Sequence, residues 1–422
     1  MARELPMSEN AGLLSNLRVL DISSYIAAPA AAMILGDFGA DVIKIEPPGS
    51  GDPYRVFQNS PGNPACDIAY GWQMDNRNKR SLALDLAGGA GRTAFKRRVG
   101  LADVVIVNMP LKSRAKLSLT YEDLKCLNPR LIYASLTAYG EQGPEADRSG
   151  FDHTALWART GMMDTVRPAP NSPPSRSALG MGDHASGMTL FGAIMMALYR
   201  REVTGEGSSV QTNLMANGLW CNAVQVQAML CGAEYAYRPA REQADNALHN
   251  LYKTSDDRWF HLVVIPEKKR WPVLLQVIDR EDLSTDTRFD TVAKRHANAS
   301  DLVKVLDEVF LCQTMQHWQA KLDAAGIPLG VVQRLRDIPE DRQMNESDAL
   351  TPLHGLEGQT DRTVNSPIWV AEMPKRPAQR APEHGEHSEE ILEEFGFSQD
   401  EINGLLQDGT VQSIKKREQG IS

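Results

Sequence analysis

The chain predicts an α/β fold, a doubly wound parallel sheet accompanied by a smaller α+β domain, on three observations. β-prone and helical runs alternate through its first third, two β-prone runs flank a turn signal just past residue 250, and 422 residues exceed the usual size of one domain.

Leu17–Ser23 (LRVLDIS) is apolar and β-prone, Pro29–Gly39 (PAAAMILGDFG) is helical with proline in its first turn, and Ala40–Glu46 (ADVIKIE) is again a strand. The unit repeats with strand Ser81–Leu86, helix Gly91–Gly100, strand Asp103–Met109, helix Tyr121–Asn128 and strand Leu131–Tyr139. Such alternation gives a mainly parallel, Rossmann-like sheet covered on both faces. Sheets of this kind bind ligands beyond the carboxyl ends of their strands, which directs attention to the loops at 24–29, 47–52 and 108–116. None of them contains GxGxxG or GxxxxGK[ST], which disfavours a nicotinamide dehydrogenase or a nucleoside triphosphatase.

Composition changes after Trp220. The polar, irregular stretch 232–250 reads as a linker, and LYKTSDDRWFHLVVI (Leu251–Ile265) reads as a hairpin turning at Ser255, Asp256 and Asp257. Helical patterns follow at 271–278 and 301–326, so a small α+β domain is expected over about 240–335. The remainder is loop-rich until SEEILEEFG and SQDEINGLL, the latter opening with a capping box of Ser398 and Glu401.

The formal charge of −9 leaves no broad basic face, so nucleic acid is not expected as a partner. No run approaches the roughly 18 apolar residues of a membrane span, and MARELPMSEN has no basic segment followed by an apolar run. The reading is a soluble cytoplasmic protein. Its five cysteines are scattered, without CxxC or zinc spacing, and are expected to be reduced and mostly packed, with no metal site.

One carboxylate stands out. In LGMGDHASGMTLFGAIMMALYRREVTGEG, Met188, Phe191, Ile194, Met195 and Leu198 fall at helical spacing and should face a core, with Arg200, Arg201 and Gly205 ending the helix. Asp183 then lies at the amino end, where free N–H groups and the helix dipole favour negative charge, so it should stay ionised. An aspartate there is commonly only a cap, but the small neighbours Gly182, Ala185, Ser186 and Gly187 leave this one open to close approach.

Eight motifs in order, including AAPAAAMILGDFGADVIKIEPPGSGDPYR, NKRSLALDL, LNPRLIYASLTAYGEQGP, SGFDHTALWARTG and GDHASGMTLFGAIMMALYRREVTGEG, make nearly the whole chain resemble the family III CoA-transferases. That group includes formyl-CoA and carnitine CoA-transferases, with the α-methylacyl-CoA racemases as a sister branch. The resemblance implies that Asp183 is the catalytic nucleophile. It would carry acyl-aspartyl anhydride and aspartyl-CoA thioester intermediates while CoA passes from an acyl-CoA to an acceptor carboxylic acid. It places the CoA thioester, a substrate rather than a resident cofactor, along Tyr25, Ile26, Ala27, Leu84, Asp85, Leu86, Asn108, Met109, Lys116, Gly150 and Phe151. Lys116 would meet a phosphate, and Gly182, Gly187 and the loop ahead of the small domain are the places to seek oxyanion donors and a lid.

The resemblance also implies a large domain of residues 1–225 completed by 340–422, with the small domain inserted, and an interlocked homodimer. Departures from the pattern are Pro47 where formyl-CoA transferase has an arginine touching CoA, Ile26 in place of a glutamine and Ala87 in place of a lysine. Formyl-CoA and oxalate are therefore poor substrate guesses. Racemases of the family carry a histidine directly before the aspartate of their G-x-D motif, where this chain has Phe151. A racemase or epimerase is the alternative reading, with an inactive CoA-binding protein or a stand-alone hydrolase behind it. His153 and His184 are read as neighbours of carboxylates and left out of the chemistry.

Overall fold

Val104–Val107 (VVIV) is an uninterrupted β-branched run, and with Ile132–Thr137 (IYASLT) it is buried from end to end, so both become interior strands of the main sheet. A computed structural model describes residues 12–414; the ends of the predicted large domain, 1–11 and 415–422, lie outside the described residues. Its contacts divide into two units. The first holds the chain up to Met162, Arg176–Val226 and the chain from Met344, and the second holds Met163–Ser175 and Gln227–Gln343.

The sheet of the first unit contains β1 (Arg18–Asp21), β2 (Asp41–Glu46), β3 (Arg80–Leu84), β4 (Val104–Val107), β5 (Ile132–Thr137) and β6 (Ser208–Asn213). Spatially they run β3-β2-β1-β4-β5-β6, all parallel, and the two-residue strand Val411–Gln412 joins antiparallel to β3. This order is doubly wound, and it reverses between β1 and β4. β6 escapes sequence reading because SSVQTN is polar; it is an edge strand and only partly covered.

The helices of this unit that position the site are α1 (Ala27–Asp37), α2 (Tyr70–Asn76), α3 (Gly89–Val99), α4 (Leu111–Leu117), α5 (Tyr121–Lys125) and α6 (Met181–Thr204). On one face of the sheet, Phe95 and Val99 of α3, Leu124 of α5 and Ile391, Leu392 and Ile402 near the chain's end pack with Leu20, Ile43 and Val105. On the other, α1 is buried along its whole length and lies against α6. Their approach depends on small residues. A Cβ on Gly187 would stand 2.7 Å from the Ala27 carbonyl oxygen and 3.1 Å from Ala30 Cβ.

That close approach turns α6 relative to expectation. The buried stripe is Gly182, Ser186, Gly187, Leu190, Ile194, Ala197, Leu198 and Arg201, whereas Met188, Phe191 and Met195 are only half-buried. Small side chains carry no hydrophobic signal, so the apolar periodicity pointed about one position away from the true contact face. Gly205 ends the helix at a φ of 79°, as expected.

In the second unit, His249–Lys253 and Trp259–Val263 form the predicted hairpin, and Leu329–Val332 adds a third strand. Tyr252, Phe260, Phe310 and Trp318 anchor its core. The helical pattern at 301–326 is two helices, Ala299–Phe310 and Met315–Ala324, the second capped by Thr314. Residues 163–175, read as part of the large domain, group here; they are proline-rich and lack periodicity, and Arg167 stacks 4.9 Å from the Tyr237 ring. In the first unit, Leu350–His354, Arg362–Val364 and Ala378–Gln379 form a three-stranded sheet where the sequence is loop-rich, for these strands are short and the first contains Pro352.

The cysteines correct expectation. All five are free, but all five are exposed rather than packed, as Cys126 and Cys221 sit at helix ends where turns face solvent. No described helix is long and apolar enough to cross a membrane, and no group of three or more His, Cys, Asp or Glu that could hold a metal occurs among the described residues.

Gly187→Val should lower stability by about 1–3 kcal/mol, because the new side chain must push α1 and α6 apart. Urea unfolding checks this; an unchanged midpoint would show that the helices can give way.

Candidate active site

The carboxyl ends of β1 and β2 carry buried charge. Asp21 closes β1 and accepts from Lys79 Nζ at 2.9 Å and from the Ser23 N–H at 3.1 Å. Lys44 of β2, fully buried, pairs with Asp52 at 2.8 Å and donates to the Ser23 carbonyl. Glu46 accepts Nε and Nη2 of Arg55 at 2.8 Å each and the Asp52 N–H at 2.9 Å. Lys79 completes its shell with the Pro29 carbonyl at 2.9 Å and Asn76 at 2.8 Å. Burial outweighs its carboxylate neighbour and brings its ammonium down to about 8. Buried charges persist only when paired and hydrogen-bonded, and here the pairing fixes the loops at 24–29 and 47–52.

The fixing is visible at Tyr25. Its φ is 65°, a left-handed value rare for a bulky residue, and its N–H donates to Asp52 Oδ1 at 3.2 Å. Asn108, past β4, grips the preceding residue twice, accepting from the Ser24 N–H at 3.0 Å and donating to its carbonyl at 2.7 Å. The strand-order reversal is thereby stitched across. Tyr25 and Phe151 meet edge-on with ring centroids 5.9 Å apart, Phe151 being 59% exposed. Ile26 is buried against Tyr54 and Trp72, and its Cδ1 lies near Gly180, which starts α6.

Asp183 is the third residue of α6 and does not cap it. Gly180, at a φ of 75°, occupies the cap position and supplies no side chain. Asp152 does that work from outside, accepting the Gly182 N–H at 3.2 Å and also holding the Asp183 N–H. Neither glycine proposed as an oxyanion donor is free for it: the Gly182 N–H is taken by Asp152, and Gly187 serves helix packing.

Among the described residues, no hydrogen bond or ion pair engages the Asp183 carboxylate, which is half-buried. Burial, then the nearby charge of Asp152, push it up to about 7; His184 pulls the other way and Asp75 adds to the rise. The expectation of a fully ionised carboxylate is therefore corrected: desolvation and a like charge outweigh the helix start. Asp152 is itself raised, chiefly by burial, and its Oδ1 is buried without a partner.

Beside Asp183 lies a hydrogen-bonded chain that no local sequence spacing reveals. His184 Nε2 is 2.9 Å from Asp75 Oδ1, and the Tyr54 hydroxyl donates to Asp75 Oδ2 at 2.9 Å. Asp75 is fully buried. A signal existed in YGWQMDNRNKR, where a lone acid ends a half-apolar helical run, but nothing in the sequence pairs it with His184.

The remaining residues implied for CoA do not join this cluster by contact. Leu84 is a core residue at 1% exposure, with Leu86 and Met109 packed on the same core. The Asp85 carboxylate is used by the N–H groups of Ala87 and Gly88 at the start of α3. Leu84 is drawn fully inward by the strand alternation, while Leu86 and Met109, just past their strands, stay half-buried and keep part of their side chains open. Gly150 is required by its neighbours, since a Cβ would stand 2.9 Å from both Ala138 Cβ and the Tyr139 ring. Lys116 is exposed on α4 and has no ion pair among the described residues.

A doubly wound α/β protein with an open, unpaired carboxylate at a helix start beside its strand-order reversal is the class defined here. The chain belongs to CoA-transferase family III, whose family model matches residues 14–388. It is therefore a transferase acting in acyl-CoA metabolism. It is 31% identical to the (R)-2-hydroxy-4-methylpentanoate CoA-transferase of Clostridioides difficile, covering 93% of this chain and 98% of that one. It is 30% identical to the cinnamoyl-CoA:phenyllactate CoA-transferase of Clostridium sporogenes, over 97% and 100%. A CAIB/BAIF family protein from Brucella suis has a similar structure, with a TM-score of 0.82 at 28% identity over 92% of this chain and all of that one.

Because the native Asp183 carboxyl takes up its proton near pH 7 and an unfolded one near its ordinary 3.8, the native state holds an extra proton between these values. Wild type should thus lose stability relative to Asp183→Asn as pH rises from about 4 to about 7, with a constant difference, on the order of a few kcal/mol, above that. Denaturant midpoints at pH 4, 6 and 8 test it; equal stability throughout would remove the raised titration.

Proposed function

We propose that the protein moves CoA from an acyl-CoA thioester to an acceptor carboxylate by covalent catalysis on Asp183. The carboxylate attacks the thioester carbonyl, the C–S bond breaks, and CoA thiolate leaves behind an acyl-aspartyl anhydride. The thiolate then adds to the aspartyl carbonyl, releasing the first acid and forming an aspartyl-CoA thioester. An acceptor carboxylate attacks that thioester, giving a second anhydride, and the thiolate returns to the acceptor's carbonyl. Asp183 is restored and no nucleotide is consumed.

The observation that carries this reading is the Asp183 carboxylate itself, half-buried, unengaged and within reach of solvent at the start of α6. Tyr25, Ile26, Ala27, Asn108 and Phe151 form the adjoining wall for the CoA chain, with Lys116 assigned to a phosphate. The exposed Phe151, Leu179 and Met181 favour an acyl group with an apolar body, in keeping with relatives named for (R)-2-hydroxy-4-methylpentanoate and for cinnamoyl-CoA and phenyllactate. Phe151 in the G-x-D position speaks against racemisation, which needs an acid–base group there. Met196, Tyr199 and Val203, at helical spacing on one side of α6, are 68–77% exposed, an apolar stripe that supports a homodimer, which we take to be interlocked. We assign the enzyme to the cytoplasm, with no metal and no resident cofactor.

Intact-protein mass after mixing with a panel of acyl-CoA thioesters tests the chemistry. Wild type should gain a hydroxylamine-labile adduct and Asp183→Ala none, with transfer lost in the variant. Deuterium exchange at the α-carbon without any adduct would instead favour the racemase reading. Activity should survive exhaustive chelation; its loss would contradict the metal-free assignment.

A further inference from the structure

The nucleophile faces an electrostatic difficulty. Asp152 must cap α6 and Asp75 is buried close by, so two carboxylates oppose the charge on Asp183, and burial opposes it further. Only one basic group on α6 adjoins it, His184. The array behind His184 determines its state. Asp75 Oδ2 is occupied by a Tyr54 hydroxyl that can only donate to it, and Oδ1 faces His184 Nε2 at 2.9 Å, so Nε2 carries a proton toward an acceptor. The other ring nitrogen packs over Gly180, where a Cβ would lie 3.3 Å from Nδ1, and the Gly180 main chain also hydrogen-bonds the ring. Gly71 makes room for the far end of the array, since a Cβ there would stand 2.5 Å from the Tyr54 hydroxyl oxygen. The backbone has given up side chains at both ends to seat these three residues.

We infer that Tyr54, Asp75 and His184 form a positioning array that holds His184 as an imidazolium beside Asp183, the counter-charge that keeps the nucleophile in its carboxylate form. This deepens the covalent reading and rests on it. Tyr54 and Asp75 act through His184 and need not touch substrate. Burial is the chief opponent of the imidazolium, and Asp75 and Asp183 overcome it, so the ring titrates above its ordinary range. The other titratable groups facing the array are Asp152 with its neighbour His153, Tyr70 beside Tyr54, and Lys79 on the far side of Asp75. From the sequence His184 reads only as a hydrogen-bonded neighbour of a carboxylate; its partner is Asp75, and its charge serves Asp183.

Two measurements test this. Long-range proton–nitrogen NMR of the full-length, histidine-labelled protein, with the His184 resonance identified by its absence in His184→Gln, should find both ring nitrogens protonated at pH 7.5 in wild type. The ring should be neutral at that pH in Asp75→Asn. A neutral His184 in wild type overturns the inference outright, and that arm needs no variant to fold beyond the one used for identification. The second measurement is the pH dependence of CoA release in the first half-reaction. His184→Gln keeps a hydrogen bond to Asp75 but has no charge, so the acid limb should move up by about 1 pH unit or more, with Tyr54→Phe moving it less in the same direction. A uniform fall in rate with the limb unmoved would mean a purely structural role and would also overturn it. Should wild type form no adduct at all, the covalent reading fails, while the NMR result still decides the charge on His184.

Discussion

The buried pairing of Lys44 with Asp52, joined to Lys79 and Asp21, is the interaction on which the site depends. All four side chains are essentially without solvent, so each charge is tolerable only because the others are in place. Their geometry is transmitted outward by Asp52, whose second oxygen accepts the main-chain N–H groups of Tyr25 and Tyr54. One carboxylate thus holds both the left-handed Tyr25 and the start of the segment that brings Tyr54 to Asp75. Ion pairs of this depth add little net stability over a well-packed apolar core; what they supply here is a unique loop conformation.

The acidic cluster at the start of α6 divides two tasks that one aspartate cannot perform together. A capping carboxylate is hydrogen-bonded and loses nucleophilicity, and a nucleophile must be bare. Asp152, contributed from thirty residues earlier, takes the backbone N–H groups, and Asp183 is left unengaged. The arrangement has an electrostatic cost, borne as a raised proton affinity at Asp183, and the fold answers with a positive ring next door.

The parallel sheet was legible because β1, β2, β4 and β5 are apolar runs separated by helical spacing, and Asp183 was legible because of the glycine and small residues around it. What the sequence hid was whatever depends on distant pairs or on residues without a hydrophobic signal. β6 is polar and held by its ladder to β5. The contact face of α6 is made of glycine, serine and alanine, so periodicity of large residues missed it. Asp152, Asp75 and Tyr54 come from three separate segments, and no local spacing announces that they converge on residues 182–184.

The glycine-mediated contact between α1 and α6 also has a kinematic meaning. α1 begins one residue after Ile26, and α6 begins three residues before His184, so Ala27 and Asp183 lie on the first turns of the two helices. With Gly187 pressed against Ala27 and Ala30, these turns are locked as one body. The first turns of the two helices therefore have little room to slide past one another. For the covalent route we propose, the start of α6 and the start of α1 then make one template rather than two moving jaws.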